Sequence, residues 1–227
     1  MIDQLPGYIN IVFILTTLLT ILLFLKAINF QKTGIIILLT LLIFQGFLSY
    51  NGFYQLPLRI PVLVMPSLLI IIILLSGKFS KKWLPAVSLP WLTALHIIRI
   101  PVEMVLFWLY KEKQIPVNMT FEGWNYDIVS GITALPMIWI SFSNSSIKKK
   151  ILLGWNFICL GLLITIVTIA VLSAKLPIQQ WGFDQPNVAI QHFPFAWLPS
   201  VIVPIVLMAH LASIRLILKG KADQKIN

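Results

Sequence analysis

Three polar residues, His96, Arg99 and Glu103, lie in the middle of an apolar stretch that covers residues 84–110. Spacings of three and four put their side chains on one face of a helix. At 1.5 Å per residue this helix is about 40 Å long, which is enough to cross a bilayer. A charge at mid-membrane costs about 2.5–3.5 kcal/mol, so we expect this face to meet protein or a wet cavity instead of lipid. Pro101, which has no backbone N–H, leaves a carbonyl one turn earlier without its helical partner.

The composition is that of a membrane protein. The chain has 227 residues, of which 59% are hydrophobic and 11% are charged, whereas a soluble domain carries about 25% charged residues. Apolar segments occupy most of the sequence, so we expect a single transmembrane domain over residues 1–227. Cys159 is the single cysteine of the sequence, so an internal disulfide and a metal site built from several cysteines are excluded.

Hydropathy predicts an all-α integral membrane protein with seven transmembrane helices. The predicted segments run near residues 8–28, 33–51, 57–76, 84–110, 125–143, 151–174 and 195–218.

The links between these segments alternate in charge. One set, together with the C-terminal tail, has a single acid, Asp223, and twelve basic residues: Lys26, Lys32, Lys78, Lys81, Lys82, Lys148, Lys149, Lys150, Arg215, Lys219, Lys221 and Lys225. The other set has three lysines and five acids, which include Asp3 at the start of the chain. The positive-inside rule therefore predicts an external N-terminus and a cytoplasmic C-terminus.

The net charge of +10 is explained by this arrangement. The basic links mark the cytoplasmic side and attract anionic lipid headgroups. A nucleic-acid surface would need basic and aromatic residues on one folded face, a pattern that the sequence lacks. We therefore expect a multi-pass protein of the cytoplasmic (inner) membrane, with the lipid bilayer as its partner and no nucleic acid. The sequence leaves the oligomeric state open.

Two of the predicted helices carry proline pairs with the same spacing. Pro61 and Pro66 lie in the third helix, and Pro199 and Pro204 lie in the seventh. If the fourth helix is a linker, helices 1–3 and 5–7 have the same orientation and form a 3+1+3 parallel repeat. This layout is similar to the three-one-three arrangement of small sugar transporters, which share the outside-in topology. The resemblance covers the proline pairs and the topology, and it implies a transporter.

Further polar residues lie near the predicted outer side, and they have two explanations. Arg99–Glu103 and Arg59–Asp127 ion pairs could lock helices together. Alternatively, the charges line an outward-facing cavity, where arginine suits carboxylate or phosphate ligands. The residues expected at such a cavity are Arg59, His96, Arg99, Glu103, Glu122, Trp124, Asn125, Asp127, His192 and His210.

The histidines suggest a second kind of site. His96 and His210 lie at similar depths in the predicted bilayer, so a haem or a metal held between them, or a proton relay, is one hypothesis. The alternative is that each ring bonds a neighbouring carbonyl. The sequence has no HExxH motif and no cysteine–histidine spacing typical of a metal site.

Two classes of function follow from these features. In the first, a small polytopic membrane protein binds or transports a small anionic or polar molecule in its outward-facing cavity. In the second, a membrane-embedded enzyme uses Glu103, Asp127 or His96 for acid–base or metal-assisted chemistry on a lipid-like substrate at the outer leaflet. An accessory subunit, whose charges serve assembly, is a third interpretation. Catalytic residues are not defined by any motif.

The charge pattern predicts the topology directly. A reporter fused after Asn227 should be active in the cytoplasm, and one inserted between Lys111 and Gln114 should be active outside. The reason is that links rich in basic residues, here twelve of them, stay on the cytoplasmic side of the membrane. Reporter activity on the opposite sides would reverse the predicted orientation.

Overall fold

The computed structural model describes residues 2, 5–56, 59–142 and 148–219. Over these residues the chain forms nine α-helices, joined by turns and by short 3₁₀ and π-helical segments. The helices are α1 (Gly7–Ala27), α2 (Lys32–Tyr50), α3 (Ile60–Leu75), α4 (Gly77–Trp83), α5 (Leu89–Leu95), α6 (Arg99–Lys111), α7 (Ile128–Phe142), α8 (Lys149–Leu172) and α9 (Val203–Leu218). Asp3, Lys221, Asp223 and Lys225, which contribute to the predicted charge pattern, lie outside the described residues.

Five helical stretches in the described part of the chain are long and apolar enough to cross a membrane. They are Gly7–Ala27, Lys32–Tyr50, Leu89–Lys111, Lys149–Leu172 and Leu198–Leu218. A sixth is obtained if α3 and α4 count as one bent span. Helix α7 has 15 residues and is about 22 Å long, shorter than the hydrocarbon core of about 30 Å. The fold is therefore all-α with five or six such helices, while the count of seven, the orientation and the repeat stay predictions.

The segment predicted as the third span ends in a sharp bend. Helix α3 stops because Ser76 has an extended backbone (φ −62°, ψ 154°), and the next helix leaves at an angle of 79°. The indole N–H of Trp83 donates to the carbonyl of Leu74 at 2.8 Å, and Arg215 on α9 donates to the carbonyl of Leu75. These hydrogen bonds hold the bend, and the lysines of α4 are exposed beyond it.

The span with the central polar residues is continuous but changes its helix type. Helix α5 ends at Leu95, residues His96–Ile98 form one 3₁₀ turn, and α6 begins at Arg99. The change lies one turn before Pro101, whose ring crowds the carbonyl of the residue four positions earlier and which donates no hydrogen bond. This span and the last one are the most buried of the five, which matches their content of ionisable residues.

A chain of hydrogen bonds joins α2 to the start of α3. Tyr54, in the 3₁₀ turn between these helices, is fully buried. Burial raises the pKa of Tyr54 to about 12, so the phenol stays protonated and donates to the side-chain oxygen of Gln45. The amide nitrogen of Gln45 donates in turn to the carbonyl of Val62 at 3.2 Å.

The link before α7 and the link after α8 pack against each other at one end of the bundle. The amide of Gln185 donates to the carbonyls of Tyr110 at 2.9 Å and Ile115 at 2.5 Å. Trp124 and Trp181 meet edge to face with ring centroids 5.5 Å apart. The two links therefore form one cap over the ends of α6 and α8.

Helices α6 and α7 are in close contact at Gly131. A Cβ atom added there would lie 2.8 Å from Cγ1 of Ile100 and 3.1 Å from its backbone nitrogen. We predict that Gly131→Ala lowers the free energy of unfolding by about 1–3 kcal/mol, because the helices must separate. The matched control is Gly161→Ala on α8, where an added Cβ meets nothing within 4 Å. There the higher helix propensity of alanine should raise the free energy of unfolding by at most about 1 kcal/mol. Reversible unfolding in detergent would measure both, and equal stabilities would contradict the close contact.

Candidate functional site

Arg99 is the centre of a polar network inside the bundle. Its side chain is 2% exposed, and the 3₁₀ turn and α6 together direct it away from lipid. One terminal nitrogen, Nη1, donates to the carboxylate of Asp127 and lies 3.4 Å from the carbonyl oxygen of Cys159. The other, Nη2, lies 3.0 Å from Nε2 of His210. Helices α8 and α9 and the residue just before α7 therefore all supply acceptors to one guanidinium.

The hydrogen bonds of His210 define its tautomer. A guanidinium only donates hydrogen bonds, so Nε2 of His210 must be an acceptor with a free lone pair. The proton is then on Nδ1, which donates to Oδ1 of Asn156 at 2.9 Å. Asn156 donates its own amide to the carbonyl of Leu152. His210 is therefore a neutral imidazole whose two nitrogens are both engaged.

His96 lies beside this network and does not join it by hydrogen bonds. Its ring stacks on the ring of His210 with centroids 4.0 Å apart and planes 21° from parallel, and it meets the edge of Trp155 at 5.3 Å. Within the described residues neither of its ring nitrogens has a hydrogen-bond partner. A haem iron between two axial histidines requires nitrogens that point at each other. Two stacked rings do not provide this, so the pair does not fit a haem.

The same geometry does not fit a metal ion held by the two histidines. Both nitrogens of His210 are already engaged with Arg99 and Asn156. The described part of the chain contains no group of three or more His, Cys, Asp or Glu residues that could hold a metal ion.

Glu103 forms a second polar group one turn along α6. Both of its carboxylate oxygens lie 2.7 Å from the amide nitrogen of Asn125. The amide oxygen of Asn125 accepts the backbone N–H of Asp127 at 3.0 Å. This second bond fixes the orientation of the amide, so its N–H groups face Glu103. Through Asn125, the carboxylate of Glu103 is connected to the ion pair of Asp127 with Arg99.

A cavity of about 140 Å³ lies beside these residues. Its walls come from α3, α6, the second half of α8, the π-helical segment Leu198–Ile202 and the start of α9. Three of its 23 lining residues, Arg99, Glu103 and Asp127, are ionisable, and the other side chains are apolar. The described residues of α1 and α2 do not contribute to its lining. Apolar side chains of the two capping links cover one end.

The structure brings together six of the ten residues predicted for this site and leaves the others outside it. His96, Arg99, Glu103, Asn125, Asp127 and His210 are buried.

The predicted ion pairs are different from those observed. Arg99 pairs with Asp127 and not with Glu103. Arg59 is exposed, does not line the cavity, and lies over the ring of Phe53 at 4.6 Å. The reason is that Arg59, the residue before α3, is exposed at the end of its helix, whereas Asp127, the residue before α7, is buried inside the bundle.

The remaining predicted residues lie at the surface or in the cap. Glu122 is exposed and lies 3.5 Å from Lys111, which is also exposed. Trp124 is exposed against Trp181. His192 is half-buried, with its Nδ1 3.1 Å from the carbonyl of Val188.

Asn156 and Ser130 belong to the network but were not predicted from the sequence. Asn156 bonds His210, and the hydroxyl of Ser130 donates to Asp127 at 3.4 Å. Both are fully buried. The signal that could have identified Asn156 is a lone amide inside the apolar run of α8, because an amide in lipid would lack partners.

Comparison with known proteins identifies a family without an assigned activity. The family model described as "Domain of unknown function (DUF8737)" matches residues 56–218. This range includes α3 to α9, all lining residues of the cavity and the whole polar network. No curated protein and no solved structure matches the chain.

The ion pair of Arg99 with Asp127 predicts a specific pattern of mutational costs. Arg99→Leu leaves a buried carboxylate without its partner and should lower the free energy of unfolding by about 3–5 kcal/mol. The double variant Arg99→Leu/Asp127→Leu removes both charges and should cost less than the single variant. Reversible unfolding of the native chain, of the single variants Arg99→Leu and Asp127→Leu, and of the double variant would measure the coupling energy between the two charges. A double variant that is destabilised by the sum of the two single effects would show that the charges do not interact.

Proposed function

Because the chain belongs to the family described as a domain of unknown function (DUF8737), we propose its function from its own cavity. The protein binds a membrane-soluble amphiphile, with the apolar part of the ligand in the cavity and its polar end at Arg99, Glu103 and Asp127. The observation that carries this proposal is the division of the lining into apolar walls and one group of ionisable residues.

The apolar walls favour an amphiphile over a small polar molecule. A polar ligand would lose its hydration in the cavity and find acceptors or donors only at one place, which costs free energy for every unpaired group. An alkyl or isoprenoid chain gains about 0.8 kcal/mol for each methylene group that it buries. Ligand sites usually combine such apolar walls with a few polar groups that fix orientation.

The expected anionic ligand is not the one that we propose. An anion would need the positive charge and the free donors of Arg99, but three of its five N–H groups are engaged with Asp127, Cys159 and His210. Within the described residues the two N–H groups of Arg99 that remain are that on Nε, which has no partner, and the second one on Nη2. The charge of the guanidinium is already paired with Asp127, and a second carboxyl group, that of Glu103, lines the same cavity, which disfavours an anionic ligand.

We further propose that the ligand reaches the cavity sideways from lipid, between α3 and α8. Among the described residues, helix α3 packs on the π-helical segment and on α9, and has at most slight contact with α8. Val171 of α8 lines the cavity and is also 39% exposed, so the cavity reaches the surface there. By the predicted topology this part of the bundle lies in the outer leaflet of the cytoplasmic membrane.

An enzyme that acts on a lipid-like substrate is the second candidate. Glu103 and Asp127 are the residues that could exchange protons with a ligand in this cavity, since both line it. His96 does not line it, which leaves the carboxylates as the acid–base groups of this alternative. Chemical conversion of a bound amphiphile would favour it over simple binding or transport.

Binding of decanol, a neutral amphiphile, tests whether the cavity is a ligand site. It should raise the midpoint of thermal unfolding of the native chain in lipid nanodiscs, because a ligand at about 100 times its Kd stabilises the folded state by about 3 kcal/mol. Ala170→Leu fills the cavity from the α8 wall and should abolish this shift.

The matched control is Gly161→Leu, which adds a leucine to the open side of the same helix. It should keep the decanol shift of the native chain. Equal shifts in Ala170→Leu and Gly161→Leu would mean that decanol acts through the bilayer, and the proposed binding would be overturned.

A further inference from the structure

We propose that the polar end recognised in this cavity is a cation, such as the ammonium group of a long-chain amine, and that Glu103 is the residue that binds it. This inference rests on the proposed function and names the ligand class of the same site. It follows from the balance of charge around the cavity and from the hydrogen bonds of Glu103.

The ionisable residues that line the cavity do not cancel. The lining has one guanidinium, on Arg99, and two carboxyl groups, on Asp127 and Glu103, so the sum of the charges is −1 when both carboxyl groups are ionised. His210 does not change this sum, because its Nε2 accepts from Arg99 and the ring is neutral. Arg99 is the single basic residue among the described residues that line the cavity.

The carboxyl group without a cationic partner is that of Glu103, since Arg99 pairs with Asp127. Asp127 receives the guanidinium of Arg99 and the hydroxyl of Ser130. Among the described residues, Glu103 receives only the neutral amide of Asn125, although it is 1% exposed. A buried charge normally requires a charged partner or several hydrogen bonds. Glu103 is therefore the ionisable group at this cavity that lacks a charged partner.

The chemistry of Glu103 selects a donor that carries positive charge. A carboxylate accepts about four hydrogen bonds and donates none, and the amide of Asn125 approaches from one side. An ammonium group has three donors and no acceptor, so it matches the remaining acceptor positions and supplies the missing charge. A carboxylate or phosphate at the same place would be repelled. An alcohol would provide one donor and no charge.

The second ion pair among the described residues does not offer this combination. Lys111 and Glu122 form a pair at the surface with more than two fifths of each side chain exposed. Pairs of that kind are weak and screened by salt. Glu122 is therefore a suitable control for a nonspecific attraction of cations to a carboxylate.

The experiment compares decylamine, decanol and decanoate, which share one chain length and differ in the charge of the end group. Binding is measured by thermal unfolding in nanodiscs of uncharged lipid, for the native chain, Glu103→Gln and the control Glu122→Gln. The native chain and Glu122→Gln should bind decylamine about tenfold or more tightly than decanol, with decanoate the weakest. Glu103→Gln should lose this preference and still bind decanol, because the apolar walls are unchanged.

Three results would overturn the inference. If the native chain binds the amine and the alcohol equally tightly, the cavity does not select a cationic end group, while the proposed binding of an amphiphile is still supported. If Glu103→Gln keeps the preference for the amine, another group recognises the cation. If none of the three probes binds and Ala170→Leu behaves like the native chain, the proposed function fails as well. Should Glu103→Gln not fold, the series of probes on the native chain decides the question alone.

Discussion

A guanidinium buried inside a membrane-spanning bundle needs a counter-charge and hydrogen-bond acceptors from the protein, and this constraint organises the structure. Arg99 is held by Asp127, His210 and the carbonyl of Cys159, which come from three different parts of the chain. An unpaired charge at this depth would cost several kcal/mol. The packing of α6, α7, α8 and α9 is therefore coupled to one side chain.

The same constraint explains the local geometry around Arg99. The 3₁₀ turn before α6 brings His96 and Arg99 to the inside of the bundle. Gly131 lets α7 come close enough for Asp127 to reach the guanidinium, since a larger residue would meet Ile100. Asn125 then connects the ion pair to Glu103. Each of these features is small, and together they place three ionisable residues at the edge of an apolar cavity.

Part of this site could be predicted from the sequence. The spacing of His96, Arg99 and Glu103 predicts one inward face, because any other orientation exposes charge to lipid. The partner of Arg99 could not be predicted in this way. Arg59 and Asp127 lie near similar predicted depths, but depth does not say which side of a helix end faces the bundle.

The fold, like the site, could be predicted from the sequence only in part. Apolar runs identify the long helices, because hydropathy reports burial in lipid or protein. Hydropathy does not report bends, so the 79° turn at Ser76 and the 15 residues of α7 appear only in the structure. The end of α3 agrees with the predicted end of the third segment near residue 76, but hydropathy does not give the angle at which the next helix leaves. The cap formed by the two long links depends on side-chain to backbone bonds such as those of Gln185, which composition cannot assign.

The protonation of His210 tests the central claim most directly, because it depends on both of its partners. Nitrogen-15 NMR of the chain with labelled histidine, compared with His210→Gln for assignment, reports which ring nitrogen carries the proton. With Arg99 donating to Nε2 and Asn156 accepting from Nδ1, His210 should be neutral and protonated on Nδ1 at pH 7. A charged ring, or a proton on Nε2, would contradict the network around Arg99.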